Sequence, residues 1–112
     1  MGSAVTRMLD DLREKGGLKS ADIANIVHVS PPTVSRWSHG KGTPPLRTQT
    51  TIADLRYVVD RLSDFYTPEE TRLWLHAKHA LLAHERAIDL IHEGRTEEVL
   101  AVIERLDAGA YL

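Results

Sequence analysis

The stretch SPPTVSRW (30–37) reads as the opening of a short helix. Ser30 is a favoured N-cap residue whose hydroxyl can accept an orphan backbone N–H. Pro31 takes the first helical position, where its missing N–H costs nothing. The helix carries two large apolar residues, Val34 and Trp37, three apart and therefore on one face. A helix this short does not hold itself together, so those two side chains must anchor it to the rest of the chain. The opposite face is slim: Pro32, Thr33, Ser35 and one long cation, Arg36.

Upstream, Ser20 is placed to cap a second short helix over about 20–27, with Ile23, Ala24 and Val27 on one face. A tight turn joins the two helices, and the apolar residues at 23, 24, 27, 29, 34 and 37 point to a shared interface. That is the spacing of a DNA-binding helix-turn-helix, whose second helix enters the major groove N-terminus first. Arg36 then suits a bidentate pair with guanine, Thr33 and Ser35 suit bases or phosphates, and Pro32 suits a thymine methyl. Lys41, just beyond the helix, suits a phosphate. The plain alternative is a helical hairpin packed only for stability. Charge favours the DNA reading, because residues 17–47 carry Lys19, Arg36, Lys41 and Arg47 against Asp22. The stretch DIANIVHVSPPTVSRWSHGKGTP (22–44) resembles the Xre/Cro-type helix-turn-helix. It departs at His28, where that family usually has glycine; His tolerates the left-handed region better than most residues.

Across its 112 residues the chain has a net charge of −2, distributed unevenly. Residues 1–47 hold seven Lys/Arg and four Asp/Glu, and residues 48–112 hold seven and twelve. A basic front on an acidic back predicts partners of different character. With no cysteine there is neither a disulfide framework nor thiolate chemistry, which suits a reducing cytoplasm. No apolar run reaches the roughly 18 residues of a membrane span, and no secretory h-region is present. MGSAVT satisfies the N-myristoylation pattern, yet lacks polybasic support and reads as an expression remnant.

Helical signals dominate the remainder. Val5, Met8, Leu9 and Leu12 recur at helical spacing until Gly16–Gly17 stops them. GKGTPP (40–45) breaks the chain. A longer helix is expected from about Thr50, with Ile52, Leu55, Val58, Val59 and Leu62 inward. Thr67, Pro68 and Glu70 form a capping box for another helix, which HAKHA (76–80) interrupts. Residues 88–94 read as a short helix ended by Gly94. Thr96 begins the last helix, which carries Val99, Leu100, Val102, Ile103 and Leu106, and Gly109 ends it. The fold expected is all-α, a small helical bundle in three regions: 1–47 for DNA, 48–66 as a connecting helix, and 67–112.

The segment RLWLHAKHALLAHERAIDLIHEGRTEEVLAVIERLDAGAYL (72–112) resembles the toxin-binding domain of the Xre/MbcA/ParS antitoxin family. The match rests on Trp74-Leu75, Leu81-Leu82, Asp89-Leu90 before Gly94, EEVL at 97–100, and the glycine-aromatic ending. It departs at Ala87, where many relatives have proline, and at HAKH, where they often have a Pro-Asn turn. The resemblance implies an antitoxin that neutralises a cognate RES-domain, NAD⁺-consuming toxin, forms a homodimer and a hetero-oligomer with that toxin, and binds its own operator DNA. It assigns toxin binding to Trp74, Leu81, Leu82, Gly109, Tyr111 and Leu112. Read without the resemblance, Tyr111 and Leu112 are a chain end that caps the core or frays.

Three of the six histidines, His76, His79 and His84, cluster in sequence, but without HExxH or CxxC spacing they read as surface residues rather than zinc ligands. Glu97 and Glu98 complement a helix N-terminus. No GxSxG, P-loop or GxGxxG is present, so neither an enzyme nor a cofactor is expected. The competing reading is a stand-alone regulator whose C-terminal half dimerises or senses a ligand.

Overall fold

The computed structural model describes residues 3–109. Among these, seven α-helices run in the order α1 (Ala4–Glu14), α2 (Ser20–Val27), α3 (Pro31–Ser38), α4 (Leu46–Leu62), α5 (Pro68–His76), α6 (Ala87–His92) and α7 (Thr96–Asp107). Between α5 and α6 the chain makes a small antiparallel ladder, β1 (Lys78–His79) against β2 (Glu85–Arg86), around a 3₁₀ turn at Ala80–Leu82. The pairs are Lys78 with Arg86 and His79 with Glu85. The all-α expectation holds, with this ladder as its single exception among the described residues.

Helix α4 is the spine. Ile52, Leu55, Val58, Val59 and Leu62 are fully buried, and α1, α2, α6 and α7 all pack on this helix. It starts at Leu46, four residues before the position the apolar periodicity indicated. Polar contacts build that first turn: Pro45 is the N-cap, and the Gln49 side chain donates to the Pro44 carbonyl at 2.8 Å. The Thr50 and Thr51 hydroxyls donate back to the carbonyls of Leu46 and Arg47. An apolar pattern cannot reveal a turn held this way, and Leu46 is 79% exposed.

The caps differ in part from expectation. Lys19, not Ser20, is the N-cap of α2, and its backbone N–H donates to Asp22 Oδ2 at 2.9 Å. Ser20 is the first helical residue, where its hydroxyl accepts from Arg13. Ser30 is the N-cap of α3 and Pro31 follows as expected, but the Ser30 hydroxyl pairs with the Thr33 hydroxyl at 2.8 Å rather than with a backbone N–H. His28 closes α2 in the left-handed region, φ 61°. The Thr67–Glu70 capping box forms in both directions, at 3.2 and 2.9 Å.

Two adjacent glycines set how α1 meets the later helices. A Cβ on Gly16 would lie 2.7 Å from the Leu12 carbonyl oxygen and against both Val59 methyls, so α1 and α4 approach too closely for a side chain. Gly17 has φ +62°, and a Cβ there would lie 2.7 Å from the Pro68 carbonyl oxygen at the start of α5. Both halves of the chain feed one apolar core, which runs from Leu9 through Ile23, Trp37 and Leu55 to Ile103. No helix of the described residues is long and apolar enough to cross a membrane.

Val34 and Trp37 are 0% and 7% exposed, so the α3 anchor lies where the spacing placed it. Trp37→Ala is expected to cost about 3–5 kcal/mol through the cavity it leaves, against about 1 kcal/mol for Thr67→Ala, which removes a cap. Urea titrations of the two variants check the ranking; equal midpoints would mean that Trp37 is not an anchor.

Candidate functional site

Two faces of the molecule carry the residues singled out in the sequence. The first is the outer side of α3. With Val34 and Trp37 buried, Pro32 and Arg36 are exposed and Thr33 and Ser35 are half-buried. Arg36 leans toward the Thr33 hydroxyl at 3.5 Å. The helix is held from behind: Thr6 donates to the Trp37 carbonyl at 3.4 Å, and Arg13 of α1 reaches the Ser38 hydroxyl. At its C-terminus, His39 Nδ1 lies 2.7 Å from the Ser35 carbonyl oxygen, and the Lys41 backbone N–H donates to the Arg36 carbonyl at 2.8 Å. Lys41 is therefore tucked beside the end of α3, with its side chain exposed.

Ion pairing is uneven along the chain. Among the described residues, Arg36, Lys41 and Arg47 form no ion pair. In the second half, Arg56, Arg61, Arg72, Arg86 and Arg95 all do. Hydrogen bonds from Arg95 hold the Glu98 carboxyl below its usual range. An unpaired cation keeps its charge available to a partner, whereas a paired one is largely spent.

The second face is an apolar groove of about 240 Å³, lined by Tyr66, Trp74, His79, Ala80, Leu81, Val102 and Leu106. The β1–β2 excursion builds one wall. Ala83 and His84 both have positive φ (56° and 63°), which turns the chain tightly enough for the two strands to pair. His79 Nε2 lies 2.8 Å from the Trp74 carbonyl oxygen, and its ring is tilted on the indole at 4.3 Å. His76 likewise uses Nδ1 on the Arg72 carbonyl at 2.8 Å. Two of the clustered histidines thus contact carbonyls of helix α5, and among the described residues no group of three or more His, Cys, Asp or Glu is placed to hold a metal ion.

The groove gathers some of the predicted residues and releases others. Trp74 and Leu81 line it together, and Leu81 is 47% exposed. Leu82 is a correction: it is 5% exposed and belongs to the core, because the 3₁₀ turn points consecutive leucines to opposite sides. Gly109 is exposed, with φ 80°, just after α7. Tyr111 and Leu112 lie outside the described residues. Tyr66, His79, Val102 and Leu106 are groove residues that spacing did not reveal, since three separate elements contribute them. Leu73 of α5 is 59% exposed.

One ion pair ties the two faces together. Arg72 of α5 donates twice to the Asp22 carboxylate of α2, at 2.9 and 3.1 Å. The Asp22 side chain is 13% exposed, and the Arg72 hydrogen bonds hold its carboxyl below the ordinary value of 3.8.

These features define a class: a small helical protein with an anchored cationic helix on one face and an apolar groove on another. No family model matches the chain. It is 36% identical over 96 residues to the "Probable mycobacterial cidal antitoxin Rv3188" of Mycobacterium tuberculosis H37Rv, covering 86% of this chain and 82% of that protein. It is 29% identical over 99 residues to the mycobacterial cidal antitoxin MbcA of M. tuberculosis and M. bovis, covering 88% of each. A chain of the crystal structure of the M. tuberculosis MbcT–MbcA toxin–antitoxin complex superposes with a TM-score of 0.86 at 26% identity, over 98% of this chain and 99% of that one. The chain belongs to the family of mycobacterial cidal antitoxins.

Because the folded state holds the Asp22 carboxyl below 3.8, its stabilisation is complete above that pH and is lost as pH falls through the lower folded value. Asp22→Asn should therefore melt below wild type at neutral pH, and the gap should close in acid below about pH 3.8. Thermal melts from pH 7 to pH 2.5 check this; a gap constant with pH would assign the loss to packing.

Proposed function

We propose that the chain is the antitoxin of a toxin–antitoxin pair, docking its toxin through the Trp74–Leu81 groove and binding its operator DNA through α3. The observation that carries the reading is the groove: Trp74, Leu81 and Leu106 form one accessible apolar surface in a chain whose relatives are antitoxins. A half-buried aromatic beside partly exposed aliphatics is a usual anchor of a protein interface. The family resemblance further names the toxin as an NAD⁺-consuming RES-domain enzyme. It assigns Gly109, Tyr111 and Leu112 to covering that enzyme's active-site entrance. On this reading residues 1–47 serve DNA, 48–66 connect, and 67–112 serve the toxin, with assembly as a homodimer and as a hetero-oligomer with the toxin in the cytoplasm.

The DNA half of the reading is supported by a firmly anchored α3 that presents Pro32, Thr33, Ser35 and Arg36, with Lys41 beside it and no carboxylate paired to either cation among the described residues. Such an arrangement suits an Xre-type helix-turn-helix.

Co-expression with the product of the neighbouring gene, followed by size-exclusion chromatography and an NAD⁺-consumption assay, tests the toxin half. Trp74→Ala should weaken the complex by about 2 kcal/mol, roughly thirtyfold in Kd. Leu81→Asp should abolish it without unfolding, since Leu81 is half exposed. Deleting residues 109–112 should relieve inhibition more than binding. Equal inhibition by full-length and truncated protein would leave steric cover by the groove as the mechanism. An unchanged complex with both groove variants would leave a stand-alone regulator as the better reading.

An electrophoretic shift titration tests the DNA half. Arg36→Ala should cost about 1–3 kcal/mol at one operator position, whereas Lys41→Ala should weaken all sequences alike and lower the salt slope by about one. Wild-type binding by Arg36→Ala would show that α3 is not the reader.

A further inference from the structure

A hollow of about 340 Å³, separate from the groove, lies where the α2–α3 turn, the start of α4 and the end of α6 meet. It is lined by Val27, His28, Arg47, Thr48, Thr51 and His92. The His28 and His92 rings stack with centroids 3.6 Å apart and an interplanar angle of 19°. We propose that this hollow binds a phosphate group, held by the Arg47 guanidinium, the Thr48 hydroxyl and the stacked imidazoles of His28 and His92.

The lining chemistry carries the proposal. Three nitrogen bases and two hydroxyls converge with no carboxylate among them. Elsewhere, cationic side chains share their hollows with carboxylates: Arg95 with Asp54, Glu97 and Glu98, and Lys19 and Arg72 with Glu69. The acidic residues nearest His92 along α6 are occupied, Asp89 by Arg86 and Glu93 by Arg95. Arg47 has no ion pair among the described residues, and its fork of N–H donors suits phosphate oxygens. Thr51 already donates to the Arg47 carbonyl at 3.2 Å, and Thr48 forms no side-chain hydrogen bond among the described residues.

The histidines fit the same role. The His92 Nδ1 is buried and unpartnered. An imidazole nitrogen that carries a proton can donate to a phosphate oxygen. His28 also occupies a left-handed backbone position where glycine is less strained; a ring that binds as well as stacks gives that position a use.

The phosphate has two possible sources, a free phosphate and a DNA backbone phosphodiester. The experiment uses the full chain, follows the histidine ring resonances by NMR at constant ionic strength, and titrates inorganic phosphate and, separately, a short duplex of arbitrary sequence. Saturable movement of the His28 and His92 rings with phosphate, weakened about tenfold or more in Arg47→Gln and unchanged in Arg36→Gln, supports a free-phosphate site. Movement with duplex alone, with the salt slope lowered by about one in Arg47→Gln when the duplex titration is repeated at several salt concentrations, supports a phosphodiester clamp. Rings unmoved by both probes, or moved equally in wild type and Arg47→Gln, would overturn the site. Arg47 is exposed and unpaired among the described residues, so its replacement leaves the fold intact, and the phosphate titration reads the site independently of any toxin or operator.

Discussion

Helix α4 must be covered on more than one side at once. Five of its apolar residues are fully buried, and helices from both ends of the chain supply the cover. A helix of 17 residues with so much buried surface cannot stand without its neighbours, because most helical stability in proteins comes from packing an apolar face. The arrangement of the remaining elements follows. Helix α1 closes one side through the glycine contact at Gly16, while α6 and α7 close the other. Thr96, at the start of α7, donates to Asp54 of α4 at 3.0 Å, which fixes where the last helix begins. The two ends of the chain are thus halves of one core rather than separate bodies on a linker.

That shared core gives the two outward faces a fixed relation. Helix α5 lies at the junction: Arg72 grips Asp22 of α2, Leu75 is fully buried, Leu73 faces solvent and Trp74 lines the groove. Four consecutive residues thus face four environments, as the helical rotation of about 100° per residue requires. The His28–His92 stack makes a second link between the α2–α3 segment and the C-terminal half. Side-chain contacts thus join α5 to α2 and α6 to the turn before α3.

The charge pattern divides along the same line. Five arginines of the second half are paired with carboxylates a few residues away or across a helix contact, and exposed pairs of that kind add little stability. Lys78 and Arg105 form no ion pair among the described residues, but they stand among twelve Asp and Glu over residues 48–112. Near α3 the cations have no such partners, so the field there stays positive although the chain as a whole is acidic. Net charge alone says nothing of this; pairing does.

Local rules were sufficient for much of the molecule. The Thr67–Glu70 capping box, Pro31 at the first position of α3, Val34 and Trp37 on one face, and the Gly16–Gly17 stop each depend on residues within a turn or two, and each is legible in the sequence. The likeness to the antitoxin family was legible too, because it rests on ordered motifs rather than geometry. The rest needed the tertiary structure. The start of α4 escaped because side-chain-to-backbone bonds, not apolar spacing, hold its first turn. Leu81 and Leu82 were inseparable as neighbours until a 3₁₀ turn sent one to the groove and the other to the core. Tyr66, Val102 and Leu106 join Trp74 only because α4 forces distant segments together, and the same enforced closeness brings His28, Arg47 and His92 into one hollow. Sequence by itself determined which segments are helical and which faces are apolar, since both are set by contacts within a few residues. Which of those faces meet, and which side chains remain available to a partner, was decided by the need to bury one helix from both ends of the chain.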